Sequence, residues 1–260
     1  MAEYVAIEQA KTMRGLRLVL AGGLPGPPWT EAAKAVFHVK EIPFVRVAQI
    51  PGATDEALRA LTGHANAPIA LYDDERPRAG WAEILLLAER LAPEPRLVPA
   101  DAAERAHLLG LCHELMGEEG LGWTRRLLML RDIRRDGEKA GILSGFARLR
   151  SAAYGYSDAA AAAAPARLQA ILRMLSDRLR AQRGRGSRFL FGDALSALDL
   201  YWAAMAVLLE PMPHERCPMP DWLRASYATR YPEVHDALDP ALLEHRDFVY
   251  ERYLELPIDA

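Results

Sequence analysis

The segment between the first apolar strand and the first long amphipathic helix has the residue types and spacing closest to those of a ligand site. It reads Ala21-Gly-Gly-Leu-Pro-Gly26 and continues through two further prolines into the helix. Glycines between a strand and a helix let backbone amides approach a pyrophosphate. Here Pro25, Pro27 and Pro28 lack the N–H donors of such a cradle, and the G-x-G-x-x-G spacing is absent. The pattern therefore disfavours nucleotide binding and places Pro28 at a first helical position.

Three other patterns suggest chemistry only weakly. Gly141-Ile-Leu-Ser-Gly145 has the wrong spacing for a nucleophile elbow, and no strand precedes it. The seven histidines form no H-E-x-x-H motif, and the pair His214-x-x-Cys217 stands alone, so we expect no metal site. Arg125 to Arg135 alternates basic and apolar residues at helical spacing. This pattern is typical of a solvated helix face, with a small anionic ligand as the alternative.

A capping box is the most specific local motif. In Gly192-Asp-Ala-Leu-Ser-Ala-Leu-Asp199, Ser196 can accept from the amide three residues on, while Asp199 reaches back to the Ser196 amide. Both residues are therefore assigned a structural role, and Asp199 is not interpreted as a catalytic acid.

Composition excludes several classes of protein. The chain has 260 residues, 51% hydrophobic and 26% charged, with a net charge of −3, which is globular and gives no reason to expect nucleic acid or an anionic membrane as a partner. No apolar run approaches the roughly 20 residues of a membrane-spanning helix. Cys112 and Cys217 are far apart in sequence, which argues against a disulfide framework. A soluble cytoplasmic protein is expected.

The N-terminal half alternates strands and helices. After a leader over residues 1–15, the patterns predict a strand at 16–21, a helix at 30–40, a strand at 44–47, an element from Thr54 to Gly63, a strand at 67–72 and a helix at 81–91. We therefore predict an α/β domain over residues 16–93, with its first two strands parallel.

Helical periodicity replaces strand patterns after a proline-bearing linker at residues 94–100. The predicted helices of a second domain, residues 101–260, lie at 101–117, 121–135, 138–153, 165–183, 196–209 and 240–254. The alanine run 159–164 is expected to be a flexible lead into a helix that starts at Pro165.

The capping box, the preceding Phe189-Leu-Phe-Gly192 and the following Leu200-Tyr-Trp-Ala203 resemble cytosolic glutathione transferases. The resemblance extends from Leu16 to about Tyr253, and Ala67-Pro68 stands where that family has its cis-proline strand. It implies a thioredoxin-like N-terminal domain followed by an all-helical C-terminal domain. It also implies glutathione as cosubstrate, a small hydrophobic electrophile as acceptor, and a homodimer.

At the positions of the family's catalytic and glutathione-binding residues, this sequence departs from the family pattern. The Ser or Cys that many bacterial members use falls on Pro27, and the Glu/Asp-Ser pair that holds the γ-glutamyl end of glutathione falls on Gly80-Trp81. Asn66 stands before Ala67, and Ala67 offers only backbone groups to the cysteinyl part.

Backbone groups can still support a thiolate at this site. The helix N-termini near Thr30 and Trp81 favour an anion, and a helix N-terminus lowers a thiol pKa. The resemblance thus implies Thr30 as the hydroxyl donor, with an ordinary helix residue as its alternative. Trp29 either contacts ligand or packs in the core. Trp123 either lines the acceptor pocket or only packs.

Two further hypotheses remain open. In the first, the chain has kept the transferase fold but lost glutathione, and acts as a ligand-binding or assembly module, because both Pro27 and Trp81 depart from the family pattern. In the second, glutathione serves isomerisation, ether cleavage or dehalogenation.

Overall fold

The chain folds into two compact units. A computed structural model describes residues 3–22, 26–49, 56–139 and 151–259. The first unit comprises Met1–Leu109, Met212–Met219 and Val249–Ala260, and the second comprises Gly110–Pro211 and Pro220–Phe248. Residues 212–219 and 249–260 thus belong to the first unit. The sequence analysis had assigned both segments to the helical domain, residues 101–260.

A four-stranded sheet organises the first unit. Its strands are β1 (Tyr4–Val5), β2 (Leu16–Ala21), β3 (Val45–Gln49) and β4 (Ile69–Tyr72). Their order is β1-β3-β2-β4; β3 is parallel to β1 and β2, and β4 is antiparallel to β2. The parallel β2–β3 pair agrees with the prediction. This mixed sheet with flanking helices is the thioredoxin-like arrangement that the sequence indicated.

Four helices accompany the sheet: α1 (Ile7–Ala10), α2 (Pro28–Val39), α3 (Glu56–Thr62) and α4 (Trp81–Leu91). Pro28 occupies the first turn of α2, where its missing N–H costs no intrahelical hydrogen bond. Helix α3 ends before Gly63, which has a φ of 75° that glycine adopts readily. The predicted cap at Thr54 lies outside the described residues.

The predicted leader is part of the fold. Strand β1 pairs with β3, and Ile7 and Ala10 of α1 are buried in one core cluster with Val19 and Val47. The guanidinium of Arg17 donates to the Ala10 carbonyl at 3.1 Å. The leader prediction was wrong because a two-residue strand and a four-residue helix are too short to show periodicity.

The end of the chain also packs into the first unit. The carboxylate of Asp259 accepts hydrogen bonds from Lys34 of α2 and Arg46 of β3. The neighbouring Ile258 is buried, and its N–H donates to the Arg216 carbonyl at 2.8 Å. Burial opposes ionisation of Asp259, but the hydrogen bonds and charges of Lys34 and then Arg46 outweigh it, so the pKa of this carboxyl lies below its ordinary value. This segment joins α2 to the sheet.

Helices dominate the rest of the chain. They are α5 (Ala102–Met116), α6 (Leu121–Lys139), α7 (Asp158–Gly184), α8 (Ala197–Met205) with a 3-10 turn at Ala206–Leu208, α9 (Asp221–Tyr227), α10 (Pro232–His235) and α11 (Pro240–Tyr253). The helices predicted at 101–117, 121–135, 196–209 and 240–254 are therefore confirmed within a few residues. The predicted helix at 138–153 and the Gly141–Gly145 motif fall largely outside the described residues. The short helices α9 and α10 were not predicted.

The alanine run is helical rather than flexible. Ser157 caps α7, with its hydroxyl accepting from the Ala160 N–H at 3.1 Å. Pro165 then lies inside the helix and cannot donate to the Ala161 carbonyl four residues earlier. Arg131 of α6 donates to that carbonyl at 3.1 Å. A side chain of a neighbouring helix thus satisfies the group that the proline leaves open.

The turn between α5 and α6 requires a glycine, which yields a prediction. A Cβ on Gly120 would lie 2.7 Å from the His113 carbonyl oxygen and 2.9 Å from that of Glu114. We expect Gly120→Ala to lower the free energy of unfolding by about 1–3 kcal/mol, because the backbone itself must shift.

Gly110→Ala is the matched control. Gly110 is exposed inside α5, and a Cβ added there would meet no atom outside its own helix within 4 Å. Alanine should therefore raise stability by about 0.5–1 kcal/mol. Urea unfolding followed by circular dichroism measures both changes. Equal effects of the two substitutions would contradict the prediction.

Candidate active site at the end of the N-terminal sheet

Three chain segments meet at one end of the sheet. Ala21, the last residue of β2, is paired with Gln49, the last residue of β3. Strand β4 runs antiparallel to β2, so Ala67 and Pro68, which precede it, lie at the same end. The end of β2, the end of β3 and the residues Ala67 and Pro68 are thereby brought together.

Thr30 faces the backbone at this end. Its side chain is almost fully buried in the first turn of α2, and its hydroxyl oxygen accepts from the Ala21 N–H at 3.2 Å. A hydroxyl that accepts one hydrogen bond keeps its own proton as a donor. Among the described residues, no acceptor for that proton is found. The hydrogen bond places Thr30 Oγ1 beside Ala21, the last residue of β2.

The Ala67-Pro68 peptide bond is cis, in agreement with the family pattern. Asn66 is exposed, while Ala67 and Pro68 are half-buried. The Ala67 N–H donates to the Gln49 side-chain oxygen at 2.9 Å. Ala67 therefore offers a ligand its carbonyl oxygen, but its amide is already bonded within the protein.

The N-terminus of α4 is associated with a carboxylate of the protein. The Gly80 N–H donates to Glu83 Oε2 at 3.4 Å, and Arg76 Nη1 lies 2.7 Å from Glu83 Oε1. The hydrogen bond from Arg76 lowers the pKa of Glu83 despite some desolvation, and the amides of Gly80 and Ala79 contribute further. The Glu83 carboxylate at the first turn of α4 thus reduces the attraction of this helix end for another anion.

The aromatic candidates are half-buried. Trp29 and Trp81 lie at the N-termini of α2 and α4 in the first unit. Trp123 belongs to the second unit, where its ring packs on that of Tyr154 with centroids 4.7 Å apart and an interplanar angle of 58°. Trp123 therefore has a definite packing partner within the helical unit.

The basic stretch of α6 is not simply a solvated face. Arg125 is 1% exposed and donates through Nε to the Leu208 carbonyl at 2.8 Å. Its Nη2 donates to the carbonyls of Ser226, Tyr227 and Ala228 at 3.1–3.2 Å. Burial, and then the charge of Arg126, lowers the pKa of Arg125 to about 10. This correction assigns Arg125 a structural role at the ends of two helical segments.

Asp199 is the centre of a buried polar network. Its Oδ2 accepts from the Ser196 N–H at 2.9 Å and from the Ser196 hydroxyl at 2.6 Å. Its Oδ1 accepts from the Leu190 N–H at 2.7 Å and lies 2.8 Å from His245 Nε2. The carboxylate thus does more than cap α8, since it also joins the preceding loop and α11. No short-range motif connects His245 to this network.

The described part of the chain holds no cluster of three or more His, Cys, Asp or Glu side chains suited to a metal ion. Both cysteines are buried and neither is part of a disulfide. Burial, and then the charge of Asp199, raises the pKa of Cys112 well above its ordinary value. Cys112 is accordingly a protonated core residue at neutral pH and not a nucleophile.

Gln49 and Glu83 are residues of this region that the sequence did not single out. Glu83 was detectable, since it stands three residues after the N-cap Gly80, as in a capping box. Gln49 gave no motif, because its bonds to residues 65 and 67 depend on the folded sheet.

No helix in the described ranges combines the length and the apolar character needed to cross a bilayer. Residues 158–239 match the family model of the glutathione S-transferase C-terminal domain. A search of curated protein sequences gives no significant match.

Solved structures agree with this family match along nearly the whole chain. A glutathione S-transferase from Methylobacterium radiotolerans, in complex with glutathione sulfonate, is 17% identical, with a TM-score of 0.59 over 91% of each chain. A glutathione S-transferase from Xanthobacter autotrophicus is 16% identical, with a TM-score of 0.59 over 93% of this chain and 96% of that chain.

An isomerase has the same fold. Maleylacetoacetate isomerase from Anaeromyxobacter dehalogenans, with dicarboxyethyl glutathione and citrate in its active site, is 16% identical, with a TM-score of 0.51 over 91% of this chain and 86% of that chain. The chain therefore has the glutathione S-transferase fold, and its residues 158–239 are similar to the glutathione S-transferase C-terminal domain.

Proposed function

We propose that the protein is a glutathione-dependent enzyme of the transferase type. It binds reduced glutathione at the end of the N-terminal sheet and transfers it to, or uses it on, a small hydrophobic electrophile. The observation that carries this proposal is the placement of the Thr30 hydroxyl, bonded to the Ala21 N–H, at the same end of the sheet as the cis Ala67-Pro68 loop. In this proposal the protein is cytoplasmic and acts as a homodimer.

The chemistry required of the protein is modest. A thiolate at the N-terminus of α2 is stabilised by the backbone amides and the helix dipole, and a hydrogen bond from Thr30 Oγ1 adds to that effect. With an activated halide as acceptor, the sulfur forms a bond to the electrophilic carbon, the carbon–halogen bond breaks and halide leaves with its electron pair, and the proton of the thiol is released to solvent. Lowering the thiol pKa and orienting the sulfur are the two contributions to rate.

The proposed glutathione contacts are Trp29, Asn66, Ala67, Pro68, Gly80 and Trp81. Trp123, with its ring against Tyr154, is assigned to the acceptor pocket. Similar proteins support glutathione as the ligand, since two of them were crystallised with glutathione derivatives bound. One of them is an isomerase. It supports a second possible use of glutathione, in which the acceptor is isomerised rather than conjugated.

One observation favours a different function. The Ala67 N–H is bonded to Gln49 and the Gly80 N–H to Glu83, so two backbone donors near the proposed site are satisfied within the chain. A transferase-fold protein that has lost glutathione and binds another ligand, or assembles with a partner, would have no need of these donors. A measurement of glutathione binding distinguishes the two functions, because only the enzyme is expected to bind glutathione.

The first experiment is calorimetric titration of the purified protein with reduced glutathione at neutral pH. We expect a Kd in the micromolar to low millimolar range, about −4 to −8 kcal/mol. No detectable heat, together with an unchanged melting temperature at saturating glutathione, would reject the enzyme and leave the ligand-binding function.

Thr30→Val then tests the thiol donor. We expect this variant to bind glutathione but to turn over an activated aryl halide at least about tenfold more slowly, because the bound thiol loses a charge-assisted hydrogen bond. Its pH–rate profile should shift to higher pH, and Thr30→Ser should restore the rate. An unchanged rate and profile would remove Thr30 from the mechanism.

Ser176→Ala is the control. Ser176 is also buried, in the second unit, and its hydroxyl donates to the Leu172 carbonyl at 3.0 Å. Its replacement likewise removes a buried hydroxyl and should leave the turnover of folded protein unaltered.

A further inference from the structure

Gln49, at the end of β3, bonds to two other chain segments, to one through its side chain and to the other through its backbone carbonyl. Gln49 is 3% exposed, and its Nε2 donates to the Ala65 carbonyl at 2.8 Å. Its Oε1 accepts from the Ala67 N–H at 2.9 Å. Its backbone carbonyl accepts from the Gly22 N–H at 3.0 Å, at the start of the turn that leads to Thr30. Gln49 therefore connects the turn before α2 with the loop before β4.

These two side-chain bonds require a carboxamide of this length. The group must donate to one backbone carbonyl and accept from an amide two residues further along, as a peptide group does in a sheet. An ionised glutamate accepts but cannot donate, and an aliphatic side chain does neither. Since the Gln49 side chain is buried, a replacement that loses either bond places a polar group without its partner, or an apolar group against a polar one, in this position.

The bond to Ala67 also limits what the loop can offer a ligand. Pro68 has no N–H, and the Ala67 N–H is already donated to Gln49. The backbone of this dipeptide consequently presents acceptors alone. A ligand that bonds to it must supply the donor, such as the amide N–H of a peptide thiol.

We propose that Gln49 is a positioning residue of the thiol site. Its carboxamide fixes the loop from Ala65 to Pro68 against the end of β3, and it determines that this loop recognises its ligand through carbonyl oxygens. The inference rests on the proposed function, since glutathione is the ligand whose binding reports the loop geometry.

Gln49→Glu tests the proposal through its pH dependence. Burial raises a carboxyl pKa, so the introduced group should titrate above the ordinary range of a glutamate. When protonated, it can donate to the Ala65 carbonyl and accept from the Ala67 N–H, as glutamine does. When ionised, it repels the Ala65 carbonyl and displaces the loop.

The readout is the ratio of the glutathione Kd of the variant to that of the wild type at each pH, which cancels the ionisation of glutathione itself. We expect a ratio within about twofold at pH 5 and about tenfold or more at pH 8. Circular dichroism at each pH establishes that the variant is folded where the ratio is taken.

Gln49→Met provides an independent test if the ionised variant unfolds. It retains the length of the side chain but has neither strong donor nor acceptor, so its Kd ratio should be raised by about tenfold at every pH. Wild-type affinity in Gln49→Met, or a pH-independent ratio in folded Gln49→Glu, would overturn the role of Gln49.

Gln182→Glu is the matched control. Gln182 is 2% exposed in the second unit, and its Nε2 donates to the carbonyls of Phe189 and Gly192 at 3.0 and 2.7 Å. This substitution should change stability with pH but leave the Kd ratio near one. If the wild-type protein binds no glutathione, both the proposed function and this inference are rejected. If it binds glutathione but the Kd ratio of Gln49→Glu to wild type does not change with pH, only the inference is rejected.

Discussion

Asp199→Ala will lower the free energy of unfolding by about 3–5 kcal/mol. The carboxylate is fully buried and has partners on Leu190, Ser196 and His245. Its removal leaves two buried N–H groups and an imidazole without their acceptor, and it removes the cap of α8. The loss should therefore exceed the ~0.5–2 kcal/mol typical of an N-cap alone.

Asp193→Ala is the control for this experiment, because Asp193 is an exposed carboxylate in the loop that leads into α8. Its effect should be within about 0.5 kcal/mol. Urea unfolding monitored by circular dichroism compares the two variants. A loss below about 1 kcal/mol for Asp199→Ala would show that the network around it contributes no more than a simple cap.

Arg125→Met should cost about 2–4 kcal/mol, the second large effect. The guanidinium donates to four backbone carbonyls, which lie at the ends of the 3-10 turn after α8 and of α9. Methionine fills most of the volume but donates to none of them. Part of the loss is offset, because removing the buried charge also removes its repulsion with Arg126.

Arg135→Met on the same helix serves as the control. The side chain of Arg135 is 54% exposed and pairs with Asp132 and Asp136 at the surface, where such pairs contribute less than about 1 kcal/mol. Arg125→Lys should fall between the two, since it keeps the charge but has fewer donors. Equal stability of Arg125→Met and Arg135→Met would contradict the structural role of Arg125.

Local signals were sufficient to predict most of the larger elements. Helix α8 follows from its capping box, and α11 from the proline at its start. The alanine run led to a wrong prediction, because Pro165 resembles a first helical residue. Its position inside α7 depends on Arg131, a residue 34 positions away that donates to the Ala161 carbonyl.

The site was predictable only in part, for the same reason. The locations of Thr30 and of the cis Ala67-Pro68 bond follow from the order of strands and helices. What these groups bond to does not, because Gln49 is 18 residues from Ala67 along the chain. Arg125 shows the same limit, since the carbonyls it binds are 83–103 residues away and a basic helical stretch is ordinarily solvated.

The Asp259 contacts have a consequence for synthesis on the ribosome. Arg46 and Asp259 are 213 residues apart, and the whole second unit is translated between them. At a translation rate of about 5–20 residues per second, roughly 10–40 s pass between the synthesis of Arg46 and that of Asp259. Strand β3 and helix α2 emerge from the exit tunnel long before the carboxylate that pairs with both, so a stalled or truncated nascent chain presents Lys34 and Arg46 without that counter-charge.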